Sequence, residues 1–171
     1  KQLYASEKHS HAQKLLRQVW ARGMKLSCMC HAVAKEHGKL NSETAFLCGL
    51  MNEVGKLYII TKAGDFPQLL GDKQSFTMVL EEWNGQVSKS IIESWGFSEE
   101  VAESADPGQY LDSDPDSEAT LVDVVAVSRQ LINLSAEFVE GAVDHELSFR
   151  KLKLDKDGVT RVLGAYRDKL Q

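Results

Sequence analysis

The sequence predicts an all-α protein, a single compact bundle of about six to eight helices. Three observations carry that reading. Apolar residues recur at helical spacing in several long stretches, and no stretch shows the strict alternation of a half-buried strand. The one β-branched-rich run, holding Leu121, Val122, Val124, Val125, Val127, Leu131 and Ile132, is long and has no partner strand elsewhere, so it reads as helix. At 171 residues, with 43% hydrophobic and 26% charged side chains, the chain has the length of one domain with a real core. No repeat, low-complexity tract or linker divides it.

The elements follow in order. A leading helix, residues 1–18, is polar with sparse Leu3, Leu15 and Leu16 ahead of Val19, and its Lys, Gln, Ala and Leu content favours helix. It continues from Val19 to His37 with Trp20, Met24, Ser27, Cys28 and His31 on one side, and Gly38 stops it. Asn41 or Ser42 caps the central helix, with Glu43 well placed in the first turn. Gly64, Pro67 and Gly71 then break the chain.

A long helix from about Ser75 to Trp95 carries Phe76, Val79, Leu80, Trp83, Val87 and Ile91 in one stripe and closes at Gly96. Ser98, Glu99 and Glu100 open a short helix that Asp106-Pro107-Gly108 ends. An acidic loop over residues 105–117 leads into the Leu121 run. Asp155 caps a last amphipathic helix bearing Val159, Val162, Leu163 and Tyr166.

Charge and composition exclude several classes. A net charge of −5 argues against nucleic acid or an anionic membrane as partner, because both require a basic surface. Apolar runs stop well short of membrane-spanning length, and Lys1 opens into polar sequence with no signal peptide. The absence of an initiating Met points to a start upstream. Three cysteines, Cys28, Cys30 and Cys48, do not make a disulfide framework, which fits a reduced, cytoplasmic protein.

The stretch from Ala45 to Tyr58 organises the rest. Phe46, Leu47, Leu50, Met51, Val54, Leu57 and Tyr58 share a helical face, and Asn52, Glu53 and Lys56 are the polar residues that can meet at a pocket rim. This stretch resembles the helix of HD-type phosphohydrolase domains, in particular the HD-related output domain (HDOD) branch, which carries a His-Asp pair of metal ligands where Asn52-Glu53 stand here. Trp20-Ala21-Arg22-Gly23 is similar to the family's Trp-x-His-Ser, with Arg22 at the His. Glu82 to Phe97 is similar to a second family stretch, with Asn84 in a His place and Ser88 in a Gly place. Asp106-Pro107-Gly108-Gln109 stands where a His-His pair is usual, and Asp123 aligns with a late aspartate.

The resemblance runs from about Trp20 to the C-terminus, with the family's N-terminal helical half absent or outside this sequence. It implies a helical frame built for divalent metal and phosphate-ester hydrolysis. Every imidazole at the matched positions is replaced, and arginine cannot ligate a metal. The expected catalytic set, metal and cofactor are therefore none.

Arg22, Asn52, Glu53 and Asn84 form the candidate vestigial pocket, and Lys56 and Asp123 are candidate ligand or partner contacts. Two readings of Asn52, Glu53 and Asn84 stand side by side. They are polar remnants bonded at a helix crossing, or they line a pocket that binds a small ligand. Gly49 and Gly55 fit close helix packing.

Other motifs are weaker. Cys28 and Cys30 lie about 200° apart on a helix and cannot share an ion, and Cys28 with His31 gives too few ligands for structural zinc. Asp112, Asp114 and Asp116 alternate like a calcium loop, but Ser117 stands where a sharp turn needs Gly, Asp123 ends the frame, and Pro115 restricts it. His9, His11, His37 and His145 sit in polar surroundings without a catalytic arrangement.

The expected function is a non-catalytic, bacterial-type signal-transduction output or adaptor module. It acts by contact with a signalling protein or a fused domain, and homo-oligomerisation is left open. Two alternatives come from other classes. One is a residual phosphohydrolase using Glu53, Asp106 and Asp123 around Mg²⁺. The other is a nucleotide sensor gripping phosphate with Arg22 and Lys56.

Overall fold

In a computed structural model that describes residues 2–64, 66, 72–112, 114, 116–136 and 146–170, all regular structure is helical. Nine helices are found among the described residues: α1 Gln2–His37, α2 Ser42–Met51, α3 Val54–Ala63, α4 Lys73–Ser94, α5 Glu99–Glu103, α6 Pro107–Tyr110, α7 Leu121–Ala136, α8 Glu146–Lys151 and α9 Lys156–Leu170. None of them is long and apolar enough to cross a membrane. The expected breaks at Pro67 and Gly71, with Ser113, Pro115 and His145, lie outside the described residues, as do the side chains of Leu3, His9 and His11.

Local chemistry sets most boundaries. Asn41 caps α2, its Oδ1 accepting from the N–H groups of Glu43 at 3.0 Å and Thr44 at 2.9 Å. Asp72 caps α4 in the same way, so the helix starts at Lys73, two residues ahead of the expected start at Ser75. Asp155 accepts from Gly158 N at 2.7 Å ahead of α9, as expected. The run from Leu121 is helical as far as Ala136, and no strand is found among the described residues.

Four expectations are corrected. The central helix is not continuous, because Asn52 and Glu53 separate α2 from α3. The buried stripe of α4 is Phe76, Leu80, Asn84, Ser88 and Ile92, rotated from the expected one, so that Val79 and Trp83 face solvent. On α1, Trp20 and Met24 are likewise exposed while Ser27, Cys28 and His31 are buried. Lastly, Pro107 does not end a helix but begins one, at the first-turn position where its missing N–H costs nothing.

Two apolar clusters form the core. The larger joins the second half of α1 to α2, α5, α7, α8 and α9 through residues such as Met29, Val33, Ala45, Val125, Leu152 and Val162. The smaller joins α3 and α4 through Ile60, Ala63, Phe76 and Leu80, with Leu15, Leu16 and Val19 of α1 against it. Met51 belongs to the first cluster and Ile60 to the second, so the chain passes from one to the other through the Asn52-Glu53 break.

Candidate functional site

The break creates the site. A helix start leaves N–H groups without intrahelical acceptors, and Glu53, the residue before α3, makes no side-chain cap. Helix α4 supplies the caps instead. Ser88 Oγ accepts from Gly55 N at 2.8 Å, and Asn84 Oδ1 accepts from Lys56 N at 3.0 Å. Asn84 Nδ2 donates back to the Asn52 carbonyl at 2.8 Å. The approach this requires leaves no room at Gly55, where a Cβ would stand 2.6 Å from Asn84 O and 2.8 Å from Ser88 N.

The Asn52 side chain, fully buried, ties two further elements to the break. Its Nδ2 donates to the carbonyls of Ser104 at 3.2 Å and Ala105 at 3.4 Å, just after α5. Its Oδ1 accepts from Arg129 of α7, from Nη2 at 2.6 Å and Nε at 3.1 Å. Guanidinium only donates and carbonyl only accepts, so the partners fix the orientation of the amide.

Glu53 is 2% exposed. Its Oε1 lies 3.3 Å from Arg22 Nε and its Oε2 lies 3.1 Å from Lys56 Nζ. Both contacts fall within ion-pair distance, yet neither oxygen has an aligned hydrogen bond, so the carboxylate is held by charge more than by direction. Lys56 Nζ also donates to Glu81 Oε1 at 2.6 Å. Burial pushes the Arg129 guanidinium below its ordinary range, and the Glu53 charge opposes that shift.

The structure therefore brings Arg22, Asn52, Glu53, Asn84 and Lys56 together and leaves Asp123 out. Asp123 belongs to the first turn of α7, where its Oδ2 accepts from Thr120 N at 3.0 Å and its Oδ1 from Ser148 Oγ at 2.8 Å, one half of a capping box. Asp106 lies over Gly85 of α4. The Glu53, Asp106 and Asp123 set put forward for Mg²⁺ thus does not converge. Among the described residues no group of three or more His, Cys, Asp and Glu side chains is placed to hold a metal.

Arg129 and Ser88 are the residues that complete the site. Ser88 was visible only as a departure from a motif. Arg129 had one signal in the sequence, a lone cation inside the apolar run of α7.

A divalent metal, which the HD resemblance implies, does not fit this donor set. One buried carboxylate and two amides, both amides already bonded, face Arg22, Lys56 and Arg129. Those cations occupy the charge that a metal would need.

The secondary motifs are spoken for. His31 Nε2 lies 3.2 Å from Glu43 Oε1, and Cys28 is buried in the main core. Burial pushes the Cys30 thiol up to about 12 and the Cys48 thiol up to about 11. In the acidic loop, Asp112 and Asp114 side chains accept from the backbone two residues on, the behaviour of Asx turns.

A family model describing the HDOD domain matches residues 2–107. The matched span begins ahead of Trp20 and stops before α7. No curated protein matches the chain significantly. Among solved structures, a protein from Shewanella amazonensis SB2B, provisionally named a metal-dependent phosphohydrolase, is similar with a TM-score of 0.63 at 16% identity. The alignment covers 90% of this chain and 60% of that one, so the chain spans well under the full length of its structural neighbour.

Proposed function

The chain belongs to the HDOD family, and from that premise we propose that it is a non-catalytic signalling output or adaptor module that works by binding a partner protein in the cytoplasm. One observation carries the proposal. The two residues that replace the HD ligand pair are both occupied by protein cations, Asn52 by Arg129 and Glu53 by Arg22 and Lys56. The site that would hold a catalytic ion instead joins α3, α4, α5 and α7.

The surface favours a partner as well. Tyr58, Phe66, Val79 and Trp83 of the α3–α4 face are all exposed, and two hollows along it share Tyr58. Clustered exposed apolar side chains are a feature of interaction faces. The nucleotide-sensor alternative draws on Arg22, whose side chain is 48% exposed, but Lys56 is already committed to Glu53 and Glu81.

Elemental analysis of the purified chain, with a phosphodiesterase assay in Mg²⁺ and Mn²⁺, tests the proposal. The expected result is substoichiometric metal and no turnover. A tightly held divalent ion together with turnover abolished by Glu53→Ala rejects it.

A further inference from the structure

We propose that the hollow between the end of α1, residues 116–119 and the end of α8 binds a small phosphate-bearing molecule. The hollow measures about 380 Å3 and is lined by Lys39, Arg150, Lys151 and Lys153, with His37, Asp116 and Glu118. Four lysine and arginine side chains against two carboxylates give it a positive balance, in a chain whose net charge is −5. None of the four closes an ion pair among the described residues. Lys151 acts on the Asp112 carboxylate only through space.

Basic side chains in a last helical turn complement the free carbonyls there, and that accounts for the places of His37, Arg150 and Lys151. It does not account for Lys39 and Lys153, which lie beyond the helix ends. Lys153 has φ 55, the only positive value at a non-glycine position among the described residues. The geometry is that of a helix stop, with Lys153 N donating to Arg150 O and Leu154 N to Phe149 O, both at 2.9 Å. Glycine adopts this conformation freely, whereas a residue with a side chain is strained in it. A lysine stands there nonetheless, and its side chain lines the hollow.

Lys151 is the second pointer. It is 7% exposed, and its ammonium donates to the Asp112 carbonyl at 2.8 Å. An ammonium carries three donors, and a buried one needs more than a single neutral acceptor. A phosphate oxygen supplies what is missing, and lysine and arginine together are the chemistry that recognises it. The volume falls at the small end of small-molecule sites.

Calorimetric titration of the whole chain with inorganic phosphate and with glycerol 3-phosphate, at constant ionic strength set by chloride, tests the assignment. Saturable binding is expected for both, weakened about tenfold in Lys153→Gly. That variant removes the cation while relieving the backbone, so its melting temperature without ligand is expected to equal or exceed that of the wild type. A helix-stop role alone predicts the same melting behaviour with no change in phosphate affinity. Absence of saturable binding overturns the proposal, as does a Lys153→Gly variant that binds phosphate as tightly as the wild type. A phosphoserine peptide that binds where glycerol 3-phosphate does not overturns the small-molecule assignment.

Discussion

Glu53 sits at the centre of charges that the protein itself provides, and its removal is the sharpest probe of them. With Gln at this position, Lys56 keeps Glu81 and Arg22 keeps solvent, but Arg129 loses the carboxylate that offsets its burial. Breaking a buried ion pair from one side costs about 3 kcal/mol, because a charge is left uncompensated. Glu53→Gln is expected to lower the unfolding free energy by that amount, read as a lower urea midpoint at an unchanged slope. A loss under about 1 kcal/mol would mean the cluster is incidental to stability. Most of this site was legible in the sequence, since Arg22, Asn52, Glu53 and Asn84 each occupy a spaced position in a motif. Arg129 was not, because it lies 77 residues from Asn52 and follows no motif. Its role appears only when α7 is laid against the break.

At the scale of the helix, the break between α2 and α3 explains what periodicity missed. Helical spacing runs unbroken from Phe46 to Tyr58, and nothing local in Asn52-Glu53 forbids a continuous helix. The interruption is set by α4, whose Asn84 and Ser88 satisfy the N–H groups that the break exposes. The same demand explains the stripe on α4. Val79 and Trp83 are more apolar than Asn84 and Ser88, yet the polar pair is buried because its partners are backbone groups that have nowhere else to go. Glycine at 55 is the condition for this contact. Gly55→Ala places a Cβ 2.6 Å from the Asn84 carbonyl oxygen of α4, and overpacking of that kind costs about 2 kcal/mol. A melting temperature within a degree of wild type for Gly55→Ala would show that α3 and α4 can separate freely, and the trans-capping account would fail. The caps at Asp155 and at Asn41, the latter one of two adjacent candidates with Ser42, were by contrast readable directly, because a cap acts within three residues of itself.

The whole molecule is larger than the span its family match covers. That match ends at residue 107, while the main core draws on Leu121, Val125 and Leu131 of α7, Leu152 beyond α8 and Val162 of α9. Burying side chains of this kind stabilises by about 2 kcal/mol each, so these five together weigh as much as the whole stability of a typical domain, about 5–15 kcal/mol. Arg129, the partner of Asn52, would be lost with them. A fragment ending after Tyr110 is therefore expected to keep some helix, chiefly from α1, but to melt without a cooperative transition when followed by circular dichroism. The full chain is expected to melt in one step, because α1 packs on α2, α3, α7 and α9 and so couples the two apolar clusters. A sharp, reversible transition in the fragment would place the folding unit within residues 2–110. It would also reduce α7 to α9 to an appended layer, and the Arg129 link would then be an accessory of the site instead of part of its foundation.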